Sequence, residues 1–145
     1  VKNVRAVKDA AGNPAETANL MAKAPSSFEL YSGDDGLTLA FLAYGGTGVI
    51  GVATHWSGAD HKEMITAFKA GDVQRARRVN DRLLESYAFE TGDEAPNPIP
   101  TKAMMTLLGF DVGDARLPMG PAPEFVHEKA ATVLANLNAA RAATK

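Results

Sequence analysis

Lys8 closes an apolar run in "VRAVKDAAGN", residues 4–13, and its amine is the leading candidate for covalent chemistry in the chain. Side chains alternate along a strand, so Lys8 shares a face with Ala6 and Val4, an apolar face with a small residue directly beneath the lysine. That leaves room for a ligand above Ala6, at the carboxyl end of a strand, where parallel α/β architectures assemble their sites. A lysine with an ordinary pKa of about 10.4 is neutral in roughly one copy in 2,500 at pH 7 and is a poor nucleophile. Burial against apolar walls brings the pKa to roughly 7 to 8, at a cost of about 3 to 4 kcal/mol in desolvation, and the free amine then attacks a ketone. The competing reading is a lysine that leaves the strand end and snorkels into water.

Other motifs carry less. "SGDD", residues 32–35, reads as a turn glycine followed by a helix cap at Asp34 or Asp35, while Gly33 also lets a ligand approach the backbone at a strand end. "GTGVIG", residues 46–51, matches the dinucleotide pattern G-x-G-x-x-G in letters only. That pattern needs a strand before its glycines and a helix opening within them, whereas here a helix precedes and "VIGVAT" continues as strand. His55 and His61 flank an expected loop, His127 lies on a helix among charges, and none has a partner at metal-binding spacing, so surface or supporting roles are expected of all three. Trp56 either lines a pocket mouth or staples the next helix.

Composition narrows the class. The chain has 145 residues, 46% hydrophobic and 22% charged, with a formal net charge of -2, enough for one real core and no electrostatic footprint for nucleic acid. It has no cysteine, so a disulfide framework and a thiolate zinc site are excluded and a reducing cytoplasm, the expected location, is permitted. The most hydrophobic window, "LTLAFLAYGGTGVIGVA", is broken by Gly-Gly-Thr-Gly and reads as core, not membrane. Nothing resembles a signal peptide, and the opening on Val1 suggests a piece of a longer chain.

The elements that must position Lys8 follow from local punctuation. After the strand at 4–9, Asn13 caps a helix from Pro14 to about Lys23, with Glu16 completing a capping box. "FELYS" reads as a second strand ending at Gly33, "GLTLAFLAY" as a helix stopped by Gly45 and Gly46, and "TGVIGVATH" as a third strand. Strands alternating with helices predict parallel βαβ units. After Ser57 the chain is helical, with stripes at Met64, Ile65 and Phe68, then at Val79, Leu83 and Leu84. "GDEAPNPIP" is a proline-rich connection, "TKAMMTLLG" a short helix and "DARLPMGPAP" an irregular strap. A last helix from Pro123 carries Phe125, Val133, Leu134 and Leu137 to an alanine-rich, frayed end.

In order and spacing, "AVKDAAGN", "YSGDDGLTL", "GGTGVIGVATH" and "PNPIPTKAMMTLLGFDVGDARLPMGP" resemble the C-terminal half of the dihydrodipicolinate synthase (4-hydroxy-tetrahydrodipicolinate synthase) family of pyruvate-dependent lyases, over essentially the whole chain. The resemblance implies an α/β fold: the C-terminal part of a (β/α)8 barrel, its sixth to eighth βα units in residues 1–70, then an all-helical domain in residues 71–145. It implies that Lys8 forms a Schiff base with pyruvate, whose enamine attacks the aldehyde of L-aspartate 4-semialdehyde, with no metal or organic cofactor. It places the main-chain carbonyl of Ile50 near the pyruvate adduct and Gly33 and Asp34 near the second substrate. Gly51 departs from the family, whose members often carry serine there. The groups that bind the pyruvate carboxylate, relay protons and hold the semialdehyde are expected on strands before Val1. Such barrels need about 250 residues, so the fragment alone is expected to be inactive and prone to associate, and the complete protein to be a homotetramer. Two alternatives keep other acceptors or no chemistry: a sialic acid or 2-keto-3-deoxy sugar-acid aldolase with the same lysine, and a non-catalytic association module.

Overall fold

The computed structural model describes residues 1–143. Three short strands, β1 (Ala6–Asp9), β2 (Glu29–Ser32) and β3 (Gly48–Val49), form a parallel sheet in the order β1-β2-β3. The register pairs Lys8 with Tyr31 and Asp9 with Ser32, then Tyr31 with Gly48 and Ser32 with Val49. Helix α1 (Pro14–Lys23) connects β1 to β2, and a 3-10 turn (Asp35–Leu37) leading into α2 (Thr38–Ala43) connects β2 to β3.

Local chemistry sets the first connection. Asn13 Oδ1 accepts from the Glu16 N–H, and Pro14 occupies the first turn, where its missing N–H costs nothing. Thr17, buried on the inner side of α1, donates to Asp9 Oδ2 at 2.6 Å, and Asp9 Oδ1 accepts from the Ala11 N–H. The end of β1 is thereby tied to α1 one residue beyond Lys8.

The third strand is shorter than "TGVIGVATH" predicts. Its pairing ends with the Ile50 N–H, which donates to the Ser32 carbonyl at 2.8 Å, and α3 (Thr54–Lys69) begins four residues later. Side chains override the β-branched propensity here: Asp35 accepts from the Val52 N–H, Thr54 Oγ1 donates to the Gly51 carbonyl, and His55 Nδ1 bonds the Val52 carbonyl. His55 and His61 therefore sit on one helix rather than across a loop. Within it Ser57 departs from helical geometry and turns its hydroxyl back to the Ala53 carbonyl.

α3 packs with α4 (Val73–Glu90), α5 (Ile99–Leu107) and α6 (Glu124–Ala143) around one buried cluster that runs from Ala53 and Trp56 through Met64, Leu83 and Met104 to Leu137. Trp56 is the staple: its indole N–H donates to Ser86 Oγ at 3.1 Å, and its ring meets Phe89 edge-on. Two stripe positions differ from expectation. Leu84 and Phe125 are exposed, because the buried faces are carried by their neighbours Leu83 and Val126. Ile99 and Pro100, expected in the connection, open α5, with Pro100 in its first turn. The strap that follows is held by Lys102 Nζ, which donates to the Val112 carbonyl at 2.6 Å. Thr144 and Lys145, the last two residues of the alanine-rich tail, lie outside the described residues. Among the described residues no helix is long and apolar enough to cross a membrane.

Candidate functional site

The two faces of the sheet differ. Leu30 and Ser32 are fully buried toward the helices, whereas Ala6, Lys8, Glu29, Tyr31 and Gly48 share the opposite face by alternation and register. That second face is open: Val4 and Ile50 are 57% and 50% exposed, and Lys8 is exposed with them. Among the described residues Lys8 therefore lies open rather than enclosed. The three strands supply a floor for the amine but not the apolar walls that would enclose it.

Lys8 nevertheless has a defined seat. Its aliphatic stem crosses the position that a side chain at Gly33 would need, since a Cβ there would lie 3.0 Å from Lys8 Cγ and Cε and 2.8 Å from the Ala10 Cβ. The Gly33 N–H donates to the Asp9 carbonyl at 2.7 Å, which keeps the two strand ends side by side. Beside them Tyr31 donates its hydroxyl to Glu29, a bond to an anion that raises the phenol's pKa. Ile50 lies at the corresponding end of β3. Lys8, Gly33 and Ile50 are thus brought to one edge, the carboxyl ends of three adjacent parallel strands.

Asp34 does the work of a cap. Its Oδ1 accepts from the Gly36 N–H at 2.9 Å and its carbonyl accepts from Ser32 Oγ at 2.6 Å, which shapes the turn after Gly33. Asp35, read from sequence as an equivalent cap, is instead 2% exposed and points inward, where it accepts from the Val52 N–H at 2.7 Å and faces His61 Nε2 at 3.3 Å. Burial opposes its charge, but the His61 and Val52 hydrogen bonds prevail and hold its pKa below the usual carboxylate range. His61 is buried, not at the surface. Tyr87 and Glu90 of α4 complete this group, and burial together with the Asp35 charge pushes Glu90 up to about 8. The supporting role open to His61 in the sequence is the one it takes, whereas Tyr87 and Glu90 were missed because what joins them to it is the Asp35 carboxylate, distant from all three in the chain.

Clefts also open away from the sheet. One of about 420 Å³ is lined by Lys62, Glu63 and Arg75 between α3 and α4, and one of about 600 Å³ by Lys102, Arg116 and Leu117 against the strap. Neither is lined by the sheet. Among the described residues no group of three or more His, Asp or Glu side chains is placed to hold a metal ion.

Comparison with known proteins bears on this edge of the sheet. The profile described as the Dihydrodipicolinate synthetase family matches residues 1–137. The 4-hydroxy-tetrahydrodipicolinate synthase of Synechococcus elongatus is 42% identical over 135 residues, which cover 93% of this chain and 44% of that protein. The crystal structure of DHDPS from Cyanidioschyzon merolae with lysine bound superposes with a TM-score of 0.89 at 34% identity, covering 94% of this chain and 46% of that one. Dihydrodipicolinate synthase from Thermotoga maritima superposes with a TM-score of 0.88 at 30% identity, covering 94% and 47%. The chain spans about half the length of the curated relatives it matches. Its three parallel strands and their helices are the C-terminal part of a (β/α)8 barrel, followed by a helical region.

Proposed function

Because the chain belongs to the dihydrodipicolinate synthetase family, we propose that the complete protein is a lyase that condenses pyruvate with L-aspartate 4-semialdehyde through a Schiff base on Lys8. The Lys8 amine adds to C2 of pyruvate, and loss of water gives an iminium. Loss of a C3 proton gives the enamine, which forms a carbon–carbon bond to the aldehyde. The amino group of the semialdehyde then attacks C2 and expels the lysine, giving 4-hydroxy-tetrahydrodipicolinate, with one water released overall. The iminium is the electron sink, so the scheme calls on neither a metal nor an organic cofactor.

The observation that carries this reading is the seat of Lys8: an exposed amine at the carboxyl end of a parallel strand, with its stem laid over Gly33 and Ile50 at the neighbouring edge. In the complete barrel the remaining strands would wall in the open face and exclude water. Gly33 and Asp34 then border the acceptor, and the Ile50 carbonyl borders the adduct. The reading places the protein in the diaminopimelate route to lysine, in the cytoplasm and as a homotetramer.

The test is borohydride reduction of the complete protein with pyruvate, followed by peptide mass mapping. The expected result is a pyruvate-derived adduct on Lys8 that is lost in Lys8→Ala, with turnover on the semialdehyde. An adduct with turnover only on sugar aldehydes would move the assignment to a sugar-acid aldolase. No adduct in the folded protein would end it.

A further inference from the structure

Behind the open face lies a buried group that the reaction above leaves unused. Asp35, His61 and Glu90 are 2%, 2% and 5% exposed and come from three different elements. His61 Nδ1 lies 3.0 Å from the Ser57 carbonyl, which can only accept, so that nitrogen carries a proton. Its Nε2 faces the Asp35 carboxylate at 3.3 Å, which sets the ring edge-on against that side chain. The Tyr87 hydroxyl stands 3.5 Å from the same Nε2. Glu90, whose pKa burial and the Asp35 charge push up to about 8, lies beside Asp35 and is itself approached by the Ala53 N–H. Two carboxyl groups and an imidazole are therefore enclosed together.

What this group grips is the end of β3. A Cβ built on Gly51 would lie 2.5 Å from Asp35 Cγ and would overlap one carboxylate oxygen. The Asp35 carboxylate thus fills the side-chain space of residue 51 while it also holds the N–H of residue 52. The peptide between these contacts and the Ser32-bonded Ile50 N–H is the one that bears the Ile50 carbonyl. We propose that Asp35 is a positioning residue for Schiff-base formation: packed against Gly51 and bonded to Val52, it sets the direction of the Ile50 carbonyl, while His61 and Glu90 hold the carboxylate in place. Residue 51 must then be glycine in this chain, because the carboxylate takes the volume that any larger residue would use. The inference rests on the Schiff-base reading of Lys8.

The experiment measures the rate at which borohydride traps pyruvate on Lys8 in the complete protein, unaltered and as Asp35→Asn, Gly51→Ala, Asp35→Ala and the double variant Asp35→Ala/Gly51→Ala. The expected result is at least a tenfold slower rate in each single variant at unchanged far-ultraviolet circular dichroism, on the scale of a sub-ångström to ångström misplacement. Gly51→Ala should add nothing in the Asp35→Ala background, a non-additivity that general destabilisation would not produce. Rates equal to the unaltered protein in folded variants, or additive losses, would overturn the inference while leaving the lysine chemistry standing. Should the Asp35 variants fail to fold, the Gly51→Ala rate decides by the same tenfold criterion. No adduct in the unaltered protein removes the Schiff-base reading and this inference with it.

Discussion

The stem of Lys8 lies across the backbone of Gly33, so closely that a single added carbon on Gly33 would stand 3.0 Å from two of its methylenes. Placement of the Lys8 amine is therefore shared between a lysine on β1 and the absence of a side chain on its neighbour. Gly33→Ala in the complete protein is expected to lift the lysine and slow adduct formation about ten- to hundredfold. Thermal stability should fall modestly as well, since the added carbon also stands 2.8 Å from the Ala10 Cβ, which has no rotamer with which to yield. Stopped reduction with borohydride reads the rate and calorimetry reads the stability.

Glu90 predicts a pH dependence of stability. Its carboxyl faces Asp35, Asp34 and the Ala53 N–H, with His61 and Tyr87 in the same enclosure. Its pKa is raised from 4.5 to about 8 on folding, so between those values the folded chain keeps a proton that the unfolded chain has lost. The contribution to stability is full below about pH 4.5 and is lost as pH rises through about 8. Urea midpoints of the complete protein should fall from pH 5 to pH 8.5, and Glu90→Gln should flatten that slope.

Asp60 predicts the opposite sign. It is 2% exposed, and although burial opposes its charge, Arg141 and Arg82 prevail and hold its pKa below the ordinary carboxylate range. Its contribution is present above that range and is lost as pH falls below it toward the lowered folded pKa. Arg141→Ala leaves the buried carboxylate with Arg82 alone and is expected to cost about 1 to 3 kcal/mol at neutral pH, less than for a fully buried partner because Arg141 is partly solvated. Denaturant unfolding at pH 7 checks the value.

Leu83 is fully buried at the centre of the helical cluster. Leu83→Ala should destabilise by about 2 to 5 kcal/mol, whereas Leu84→Ala, on the exposed face one residue later, should cost well under half of that. Parallel urea titrations of the two variants separate the faces.

The parts of this fold that were legible in the sequence are those written in adjacent residues. Asn13, Pro14 and the stop at Ala24–Pro25 define α1 to the residue, and the strand at "ELYS" is bounded by Gly33 as its alternation requires. The early end of β3 was not legible, because what ends it is a carboxylate seventeen positions upstream that bonds the Val52 N–H. The same holds for His61, whose burial is tolerable only beside Asp35, and for the exposure of Leu84, which depends on which flank of α4 meets α3. Lys8 was legible as an amine at a strand end. Its surroundings were not, because the side chains that would enclose it are not among those of the three strands.

Arg141 also reaches the Trp56 carbonyl and both oxygens of Asp60, across separations of 85 and 81 positions. During synthesis those partners therefore wait, already translated, for a guanidinium that emerges from the ribosome several seconds later at roughly 5 to 20 residues per second. Until then Asp60 has only Arg82 to offset its charge, and α4 and α5 lack the helix that packs against them. Maturation of this half is a late event set by translation rather than by the speed of helix formation.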